Sequence, residues 1–428
     1  MRESGKRAAA TLGVSALMAV SGTVSGVATS SGSAGSAGSA GGASAPPSPG
    51  TSQKSSPGSI HSAPRSVSPF AGRAMWIWEL PLSSGGSAQA IVAKARANGI
   101  RTVFIKSSDG SSPWGQFSPA LVAALKHGGL RVCAWQYVYG RYPTTEAALG
   151  ARAVRLGAQC LVIDAETEYE GRYASAQRYL QTLRQRVGQR FPVALAGFPY
   201  VDYHPAFPYS VFLGPGGAQY NAPQMYWKDI GVSVDQVYQH TYLENSVYAR
   251  TIVPLGQLYS SPRSADIRRF RVLASAYGAP GLSWWDWQEA LPYAWRALSG
   301  SLTHPASVPA APGPVALGRG ARGDLVVWAQ EHLRAAHVST AVDGVYGMGT
   351  QQAVASFQRA HGLRASGRID AGSWRALLRY PAAAVSWTTR SASSRTATAA
   401  AAASGSAPRS ATLPPVRNEI RPKDHRPR

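Results

Sequence analysis

The strongest fold signal in this chain is a short apolar run that ends in two carboxylates, Cys160-Leu161-Val162-Ile163-Asp164-Ala165-Glu166. Its β-branched first half predicts a fully buried strand, and a buried strand tolerates a carboxylate only at its end. Because side chains alternate across a strand, Asp164 and Glu166 should project to the same side, roughly 6.5–7 Å apart along the backbone. Two carboxylates are therefore expected to face one space.

A carboxylate pair in such a position can divide two tasks between its members. The less solvated carboxyl stays protonated and acts as a general acid while the other stays ionised, which is the chemistry that breaking a glycosidic bond requires. The pattern is short, however, and a helix-capping Asp164 followed by a surface Glu166 fits it as well, since Glu168 and Glu170 follow closely. Catalysis and capping both stay open on this run alone.

Residues 71–300 alternate between strand-like and helix-like segments. Helical patterns begin and end at recognisable residues, for example at Ser118-Pro119 and at Gly99. Eight strands with crossover helices in about 230 residues predict an α/β fold, a (β/α)8 TIM-type barrel, with an open doubly wound sheet as the alternative. The predicted strands are Ala74–Glu79, Thr102–Ser107, Arg131–Tyr137, Cys160–Glu166, Val193–Tyr200, Ala218–Trp227, Thr251–Leu258 and Gly281–Trp287.

The carboxyl ends of the strands form the active face of such a barrel. The sequence places aromatic, amide and carboxyl side chains there, a mixture that suits a sugar, although the same rings could simply fill a large core. Lys106 is unusual in a buried strand, so it contacts substrate or pairs with a nearby carboxylate. The candidate catalytic residues are Glu166 and Asp164, and the candidate substrate-binding residues are Tyr226, Trp285, Gln224, Tyr137 and Lys106.

The segments outside the barrel region have the composition of export signals and linkers. Residues 1–28 resemble a signal peptide, with Arg2, Lys6 and Arg7 before an apolar run that Ser and Gly interrupt before it reaches a membrane-spanning length of about 20 residues. We therefore expect a secreted protein, extracellular or associated with a cell wall, with no transmembrane span in the mature chain. Low apolar content predicts a disordered Ser/Gly/Pro linker at 29–70, a linker at 301–314 and a disordered basic tail at 381–428.

The chain is strongly basic, with 43 Lys and Arg against 21 Asp and Glu, a formal net charge of +22. The excess is spread over every segment rather than gathered on one face, which argues against a nucleic-acid partner. In an exported protein, such diffuse charge predicts salt-sensitive attraction to anionic cell-envelope polymers. No cofactor or metal is expected, because the sequence has neither a metal-ligand spacing nor a phosphate-binding glycine loop.

The two cysteines, Cys133 and Cys160, both fall in predicted strands. Disulfides between neighbouring parallel strands are uncommon, so both are expected to be small, buried, unpaired residues. A bond between them stays open as the alternative.

The barrel region resembles two groups of glycoside hydrolases. Thr102–Gly110, a third strand and helix, and then Val162–Glu166 look like the second to fourth strands of lysozymes of glycoside hydrolase family 25. The D-x-E pair, Gln224-Met225-Tyr226 and Trp285 are similar to chitinase-type barrels. Two departures are that the first strand lacks the aspartate usual in those lysozymes, and that Val162 stands where the chitinase motif has an acidic residue.

Residues 315–380, called the C-terminal module below, resemble the small helical peptidoglycan-binding module found on many wall hydrolases. Helix-spaced apolar residues in Asp324–Ala335 and Thr350–Ala360, the turn at Asp343-Gly344 and the aromatic Trp374 carry the resemblance. It implies a second, small all-α domain that binds peptidoglycan. A three-helix dimerisation or packing domain is the alternative.

Together the resemblances imply a secreted, lysozyme-like glycoside hydrolase that cleaves an N-acetylated glycan, peptidoglycan before chitin. Glu166 would protonate the leaving oxygen, and Asp164 would steady the substrate acetamido group or the oxocarbenium-like charge. Tyr226 would bind the acetamido group and Trp285 would lie under the cleaved sugar. The alternative is a non-catalytic envelope glycan-binding protein on a hydrolase-like barrel, since fold does not fix function.

Overall fold

The computed structural model describes residues 68–302 and 307–388. The expected signal peptide, nearly all of the first linker and the tail beyond Thr388 lie outside the described residues. Among the residues that are described, none of the helices is both long and apolar enough to cross a bilayer.

A closed ring of parallel strands forms the centre of the first domain. The strands are β1 (Gly72–Ile77), β2 (Ile100–Asp109), β3 (Ser112–Pro113), β4 (Arg131–Val138), β5 (Leu161–Ala165), β6 (Val193–Ala196), β7 (Tyr220–Asn221), β8 (Thr251–Ile252), β9 (Leu255–Gln257) and β10 (Gly281–Trp285). Neighbours pair in the order β8, β7, β6, β5, β4, β2, β1, β10, β9, and the short β3 pairs antiparallel with β2. Since β8 and β9 are consecutive parts of one segment, the order returns to its starting point.

The seventh barrel strand is interrupted where proline removes a ladder donor. Pro223 and Pro254 have no backbone N–H, so β7 ends early and β8 is separated from β9. The neighbouring N–H groups keep the two segments together: Val253 donates to the Asn221 carbonyl at 2.7 Å and Leu255 to the Pro223 carbonyl at 3.2 Å. The (β/α)8 prediction is confirmed, and the open doubly wound sheet is wrong.

Helices cover the ring and form the C-terminal module. They are α1 (Ala88–Ala97), α2 (Pro119–His127), α3 (Pro143–Arg155), α4 (Tyr173–Val187), α5 (Tyr209–Phe212), α6 (Trp227–Ile230), α7 (Val234–Asn245), α8 (Ser264–Ala276), α9 (Pro292–Ser299), α10 (Asp324–Ala335), α11 (Met348–Ala360) and α12 (Ala371–Leu377). Ser118 caps α2 by accepting from the Leu121 N–H, with proline at the first turn, as the sequence predicts.

The barrel interior is packed with side chains and contains a disulfide. Alternate strand residues such as Trp76, Phe104 and Trp135 fill it. Cys133 and Cys160 also point inward and are bonded, with Cα atoms 4.7 Å apart, a separation suited to a bridge. The expectation of two unpaired cysteines is therefore wrong, because the Ala134 N–H donates to the Cys160 carbonyl and so brings the two residues side by side.

The C-terminal module is helical, and buried polar side chains hold its turns. The Gln330 side chain accepts from the N–H groups of Asp343 and Gly344 and donates to Asp343 Oδ1 at 2.9 Å. Trp374 is fully buried and donates to the Val315 carbonyl at 2.7 Å. These bonds fix the loop between α10 and α11 and close the start of the module against α12.

The module packs directly on the outer wall of the barrel. The Asp324 N–H donates to the Pro205 carbonyl at 2.8 Å, and the Trp328 indole donates to the Val247 carbonyl at 2.8 Å. Residues 381–388, which the sequence analysis places in the basic tail, continue this contact: the Trp387 ring lies 4.4 Å from the Tyr173 ring. The two domains thus share a buried boundary.

Candidate active site

The ends of two strands, β5 and β7, bring the two candidate catalytic carboxyls and an amide together. Asp164 lies in β5, Glu166 follows directly after that strand, and Gln224 pairs with Leu255 beyond the end of β7. The Gln224 Nε2 atom donates to Asp164 Oδ1 and to Glu166 Oε1, at 2.9 Å in each case. One amide nitrogen therefore binds both carboxyl groups. Asp164 and Glu166 point to the same side, as their two-residue spacing predicts.

The two carboxyls differ in burial and both hold protons more tightly than usual. Asp164 is 6 % exposed, and burial followed by the nearby charge of Glu166 raises its pKa well above the usual value. Burial also raises the pKa of Glu166, which is half-buried and open to solvent, while the hydrogen bond from Gln224 opposes that rise. Close carboxyls of this kind titrate as a pair rather than independently, and the first proton lost leaves the second more tightly held.

Lys106 lies beside the pair and has a carboxylate partner of its own. Its Nζ atom is 2.6 Å from Asp109 Oδ2, and it lies 4.1 Å from the centre of the Trp114 ring. The ammonium charge also opposes the rise in the pKa of Asp164. The ion pair expected as one alternative for Lys106 is therefore present, and contact between Lys106 and substrate stays a prediction.

Tyr137 and Glu168 form the next polar contact. The Tyr137 hydroxyl donates to Glu168 Oε2 at 2.9 Å, and burial, with the charges of Glu166, Asp164 and Glu168, raises its pKa above the usual range. Tyr137 therefore stays protonated as a donor. Glu168 belongs to this cluster rather than to a free surface, a placement that its sequence position after β5 did not distinguish.

Trp285 lies at the base of the site among other indole rings. It is half-buried at the end of β10, packs edge-on to Trp76 at 5.5 Å and to Trp135 at 5.3 Å, and stacks with Trp78 at 6.2 Å. A partly open ring held from below in this way offers a flat apolar face to whatever enters the barrel mouth.

Tyr226 precedes α6 and packs edge-on to Tyr259 at 5.4 Å. Burial raises the pKa of Tyr226 well above its usual value, and the charges of Asp164 and Glu166 add to that rise. Its hydroxyl therefore stays protonated within the field of the carboxylate pair. All seven candidate residues lie at the carboxyl ends of the barrel strands.

Two further carboxyls lie near the site, the buried Asp286 and the half-buried Asp229. Asp286, fully buried after β10, leaves Oδ2 without a hydrogen-bond partner among the described residues, and burial raises its pKa to about 8. Asp229 accepts from the Tyr259 hydroxyl and, at 3.0 Å, from Gln257. In the sequence, the position of Asp286 directly after the aromatic end of a strand indicates that it lies near the site. Nothing in the short helix that carries Asp229 indicates the same for that residue.

A group with metal-ligand composition lies elsewhere, in the loop after β6 and on α7. His240 Nε2 is 3.0 Å from Asp202 Oδ1 and 3.6 Å from Glu244 Oε1. Although burial lowers it, hydrogen bonds to these carboxylates raise the pKa of His240 to about 9. In this structure the three side chains are held together as an ion-paired cluster.

Comparison with known proteins identifies the C-terminal module. Residues 322–377 match the family model of a putative peptidoglycan binding domain, which confirms the resemblance inferred for 315–380. No protein of curated function matches the chain.

Solved structures similar to this chain include glycoside hydrolase barrels. A class V chitinase from Pseudomonas fluorescens Pf-5 is 10% identical, with a TM-score of 0.42 over 53% of this chain and 98% of that chain. The spore cortex-lytic enzyme SleL from Bacillus cereus is 11% identical, with a TM-score of 0.41 over 55% of this chain and 75% of that chain. An endo-β-1,4-mannanase from Thermotoga petrophila is 11% identical, with a TM-score of 0.41 over 51% of this chain and 68% of that chain.

Proposed function

We propose that the protein is a glycoside hydrolase that cleaves an N-acetylated glycan, peptidoglycan in a lysozyme-like reaction, outside the cell. The observation that carries the proposal is the carboxyl pair, Asp164 and Glu166, joined by Gln224 at the carboxyl end of the barrel. A module that matches a peptidoglycan-binding family and a buried disulfide, which persists in oxidising compartments, support the substrate and the location.

Glu166 is the general acid in this proposal. It is the more exposed carboxyl, so it can reach the leaving-group oxygen, and its proton comes from the shared pair. When substrate displaces water, the proton moves from Asp164 to Glu166, because Lys106 favours the ionised form of Asp164. The glycosidic bond then breaks as Glu166 gives up the proton, and Glu166 later accepts a proton from the attacking water.

Ionised Asp164 supports the reaction from within the barrel. It holds the acetamido group for attack on the anomeric carbon, or stabilises oxocarbenium-like charge directly. Tyr226 and Tyr137 donate hydrogen bonds to the sugar, and Trp285 stacks under its apolar face. Each of these roles requires the protonated phenols and the half-open ring described above.

The first test is Glu166→Gln in the full chain. The amide keeps shape and hydrogen bonding but has no acidic proton, so release of muropeptides from purified sacculi should fall by about 10²–10⁴-fold, with little loss of stability. The matched control is Glu170→Gln, the same change at an exposed position in the same loop, which should leave activity unchanged.

Activity that survives Glu166→Gln would contradict the assignment and move the acid to Asp286 or Glu79. A wild-type protein that binds sacculi and releases no fragment would favour the non-catalytic glycan-binding alternative.

A further inference from the structure

A pocket lies away from the barrel mouth, at the boundary between the two domains. Its volume is about 390 Å³, inside the range of about 300–1,000 Å³ usual for ligand pockets. Its lining comes from the outer face of α4, from α5 and the loop that follows it, from Glu331 of α10 and from the extended segment 383–387. None of the candidate active-site residues lines this pocket, so its occupant is independent of the reaction proposed above.

Gln177, Gln181 and Gln185 recur every four residues on the pocket side of α4, and Gln189 follows just beyond the end of the helix. Residues spaced in this way lie on one face of a helix. Gln177 is already used: it donates to the Val385 carbonyl at 2.6 Å and accepts from the Trp387 N–H at 2.9 Å, which fixes the segment that closes the pocket. The exposed amides of Gln181 and Gln185 make no side-chain hydrogen bond within the described residues and stay available.

Glu331 supplies a buried carboxyl on the opposite wall. It is 4 % exposed, lines the pocket from α10, and its carboxyl group accepts no hydrogen bond within the described part of the chain. Burial, followed by the nearby charge of Asp324, raises the pKa of Glu331 well above its usual value against the opposing charge of Arg334, and this rise favours the protonated form of Glu331. A buried acid without a partner is costly unless something supplies one.

The cation in the pocket lining is already committed to the protein. The Arg184 guanidinium donates to the carbonyls of Gly217 at 2.6 Å and Phe191 at 2.8 Å, and to Gln219 Oε1 at 2.7 Å. The Arg184 guanidinium is therefore not free to bind an anionic ligand. The free groups are neutral amides and a protonated carboxyl, beside the apolar wall that Val211 and Trp387 provide.

We infer that this pocket binds a neutral N-acetylated saccharide, separate from the sugar at the barrel mouth. The Glu331 hydroxyl donates to the acetamido carbonyl, Gln181 and Gln185 bond to sugar hydroxyls, and the apolar wall covers a ring face. Glu331 belongs to the segment that matches a peptidoglycan-binding family, while the glutamines belong to the barrel, so the site exists only when the two domains are packed together.

The test is calorimetric titration of the full chain carrying Glu166→Gln with an N-acetylglucosamine tetramer. We expect two classes of site. The double variant Gln181→Ala/Gln185→Ala should weaken one class by about tenfold, as loss of two hydrogen bonds implies, and Glu331→Ala should weaken the same class. The matched control Gln352→Ala, an exposed glutamine on α11 in the same module, should change neither class.

Trp285→Ala separates this inference from the proposed function, because it should weaken only the other class. If the barrel mouth binds no sugar, the pocket class remains alone and still responds to Gln181→Ala/Gln185→Ala. Saccharide binding that ignores the glutamine and Glu331 changes overturns the inference. A soluble stem peptide that binds in place of the saccharide, and is lost in the double variant, overturns the choice of ligand.

Discussion

A single amide, that of Gln224, moderates the proton affinity of both carboxyls at the barrel mouth. Burial favours the protonated forms of Asp164 and Glu166, while a donated hydrogen bond favours the ionised forms. The bonds from Gln224 therefore lower both pKa values against the larger effect of burial. We expect Gln224 to tune the pair rather than to react.

Gln224→Leu should raise both carboxyl pKa values further, because it removes the donor and leaves burial unopposed. The limb of the pH–rate profile that requires an ionised carboxylate should move to higher pH, and turnover should fall. The profile of kcat/KM against pH measures the shift. Gln136→Leu, which removes a buried amide that donates to the Glu146 carbonyl, is the control: it should lower stability without moving the limb.

Trp285→Ala tests the aromatic floor. Stacking on the sugar is lost, so KM should rise, and the cavity left beside Trp76 and Trp135 should lower the free energy of unfolding by up to about 3 kcal/mol. Kinetics on soluble chitin oligomers and denaturant unfolding measure the two effects. Unchanged kinetics in a folded variant would mean that the ring only fills the core.

The sequence predicted which residues lie together at the site, but it did not predict how deeply each of them is buried. Two-residue spacing on a strand was enough to place Asp164 and Glu166 on one side. It did not predict that the assigned acid, Glu166, would be the more solvated of the two, because burial depends on the loops that cover each strand end. Trp114 was likewise missed, since the short hairpin that carries it toward Lys106 has no periodic pattern.

Among the elements, helix α10 makes buried polar contacts between the two domains. Its first residue, Asp324, is fully buried against the barrel. It accepts from the hydroxyls of Tyr173 at 2.9 Å and Tyr248 at 2.7 Å, and from both the N–H and the hydroxyl of Ser210 at 2.8 Å. Burial outweighs these four bonds and raises the pKa of Asp324 to about 6.

The raised pKa gives stability a pH dependence of known sign. The folded protein holds the Asp324 proton more tightly than the unfolded chain, so this contribution is fully present below about pH 4 and is lost as pH rises through about 6. A shift of about two units corresponds to about 3 kcal/mol. Chemical unfolding of wild type at several pH values between about 4 and 8 should show the loss.

Asp324→Asn should flatten that dependence. Its oxygen can still accept from the Ser210 N–H, and its amide can donate to hydroxyls that rotate. Asp324→Leu leaves those groups unpaired and should destabilise the boundary at every pH. A wild-type pH profile that matches the Asn variant would contradict the assignment.

Helix bounds followed closely from apolar spacing, and α10 begins and ends where the sequence predicts. The predicted strands Ala218–Trp227 and Thr251–Leu258 came out shorter because Pro223 and Pro254 cannot donate to the ladder, and the predicted strand Val193–Tyr200 ends at Ala196. That Asp324 would be buried among barrel tyrosines could not be predicted, since those partners lie 76 to 151 residues away in the chain.

In the molecule as a whole, the module and the barrel pack against each other. The sequence suggested instead two separate domains joined by a linker. Composition shows where low-complexity segments lie but not whether they pack. Residues near Ala310 illustrate this, since the Ala310 carbonyl accepts from Gln239 of α7 at 2.9 Å. The domain limits at 300 and 315 stay predictions.

Anchoring to the wall should depend on the module. A fragment of residues 315–388 should sediment with purified peptidoglycan, and a fragment of 68–302 should sediment less, because the family match lies entirely in the former. Pelleting assays at low and high salt separate specific binding from diffuse charge attraction. Equal sedimentation of the two fragments would remove the anchoring role.

Because the disulfide lies inside the barrel, its reduction reports on opening of the ring of strands. Cys133 and Cys160 are both fully buried, so a water-soluble reductant meets the bond only in molecules whose ring has parted. The rate of thiol release then counts those rare openings under native conditions. Fraying at the surface, or detachment of the module, leaves the ring closed and does not expose the disulfide. The rate of thiol release therefore measures opening of the barrel alone.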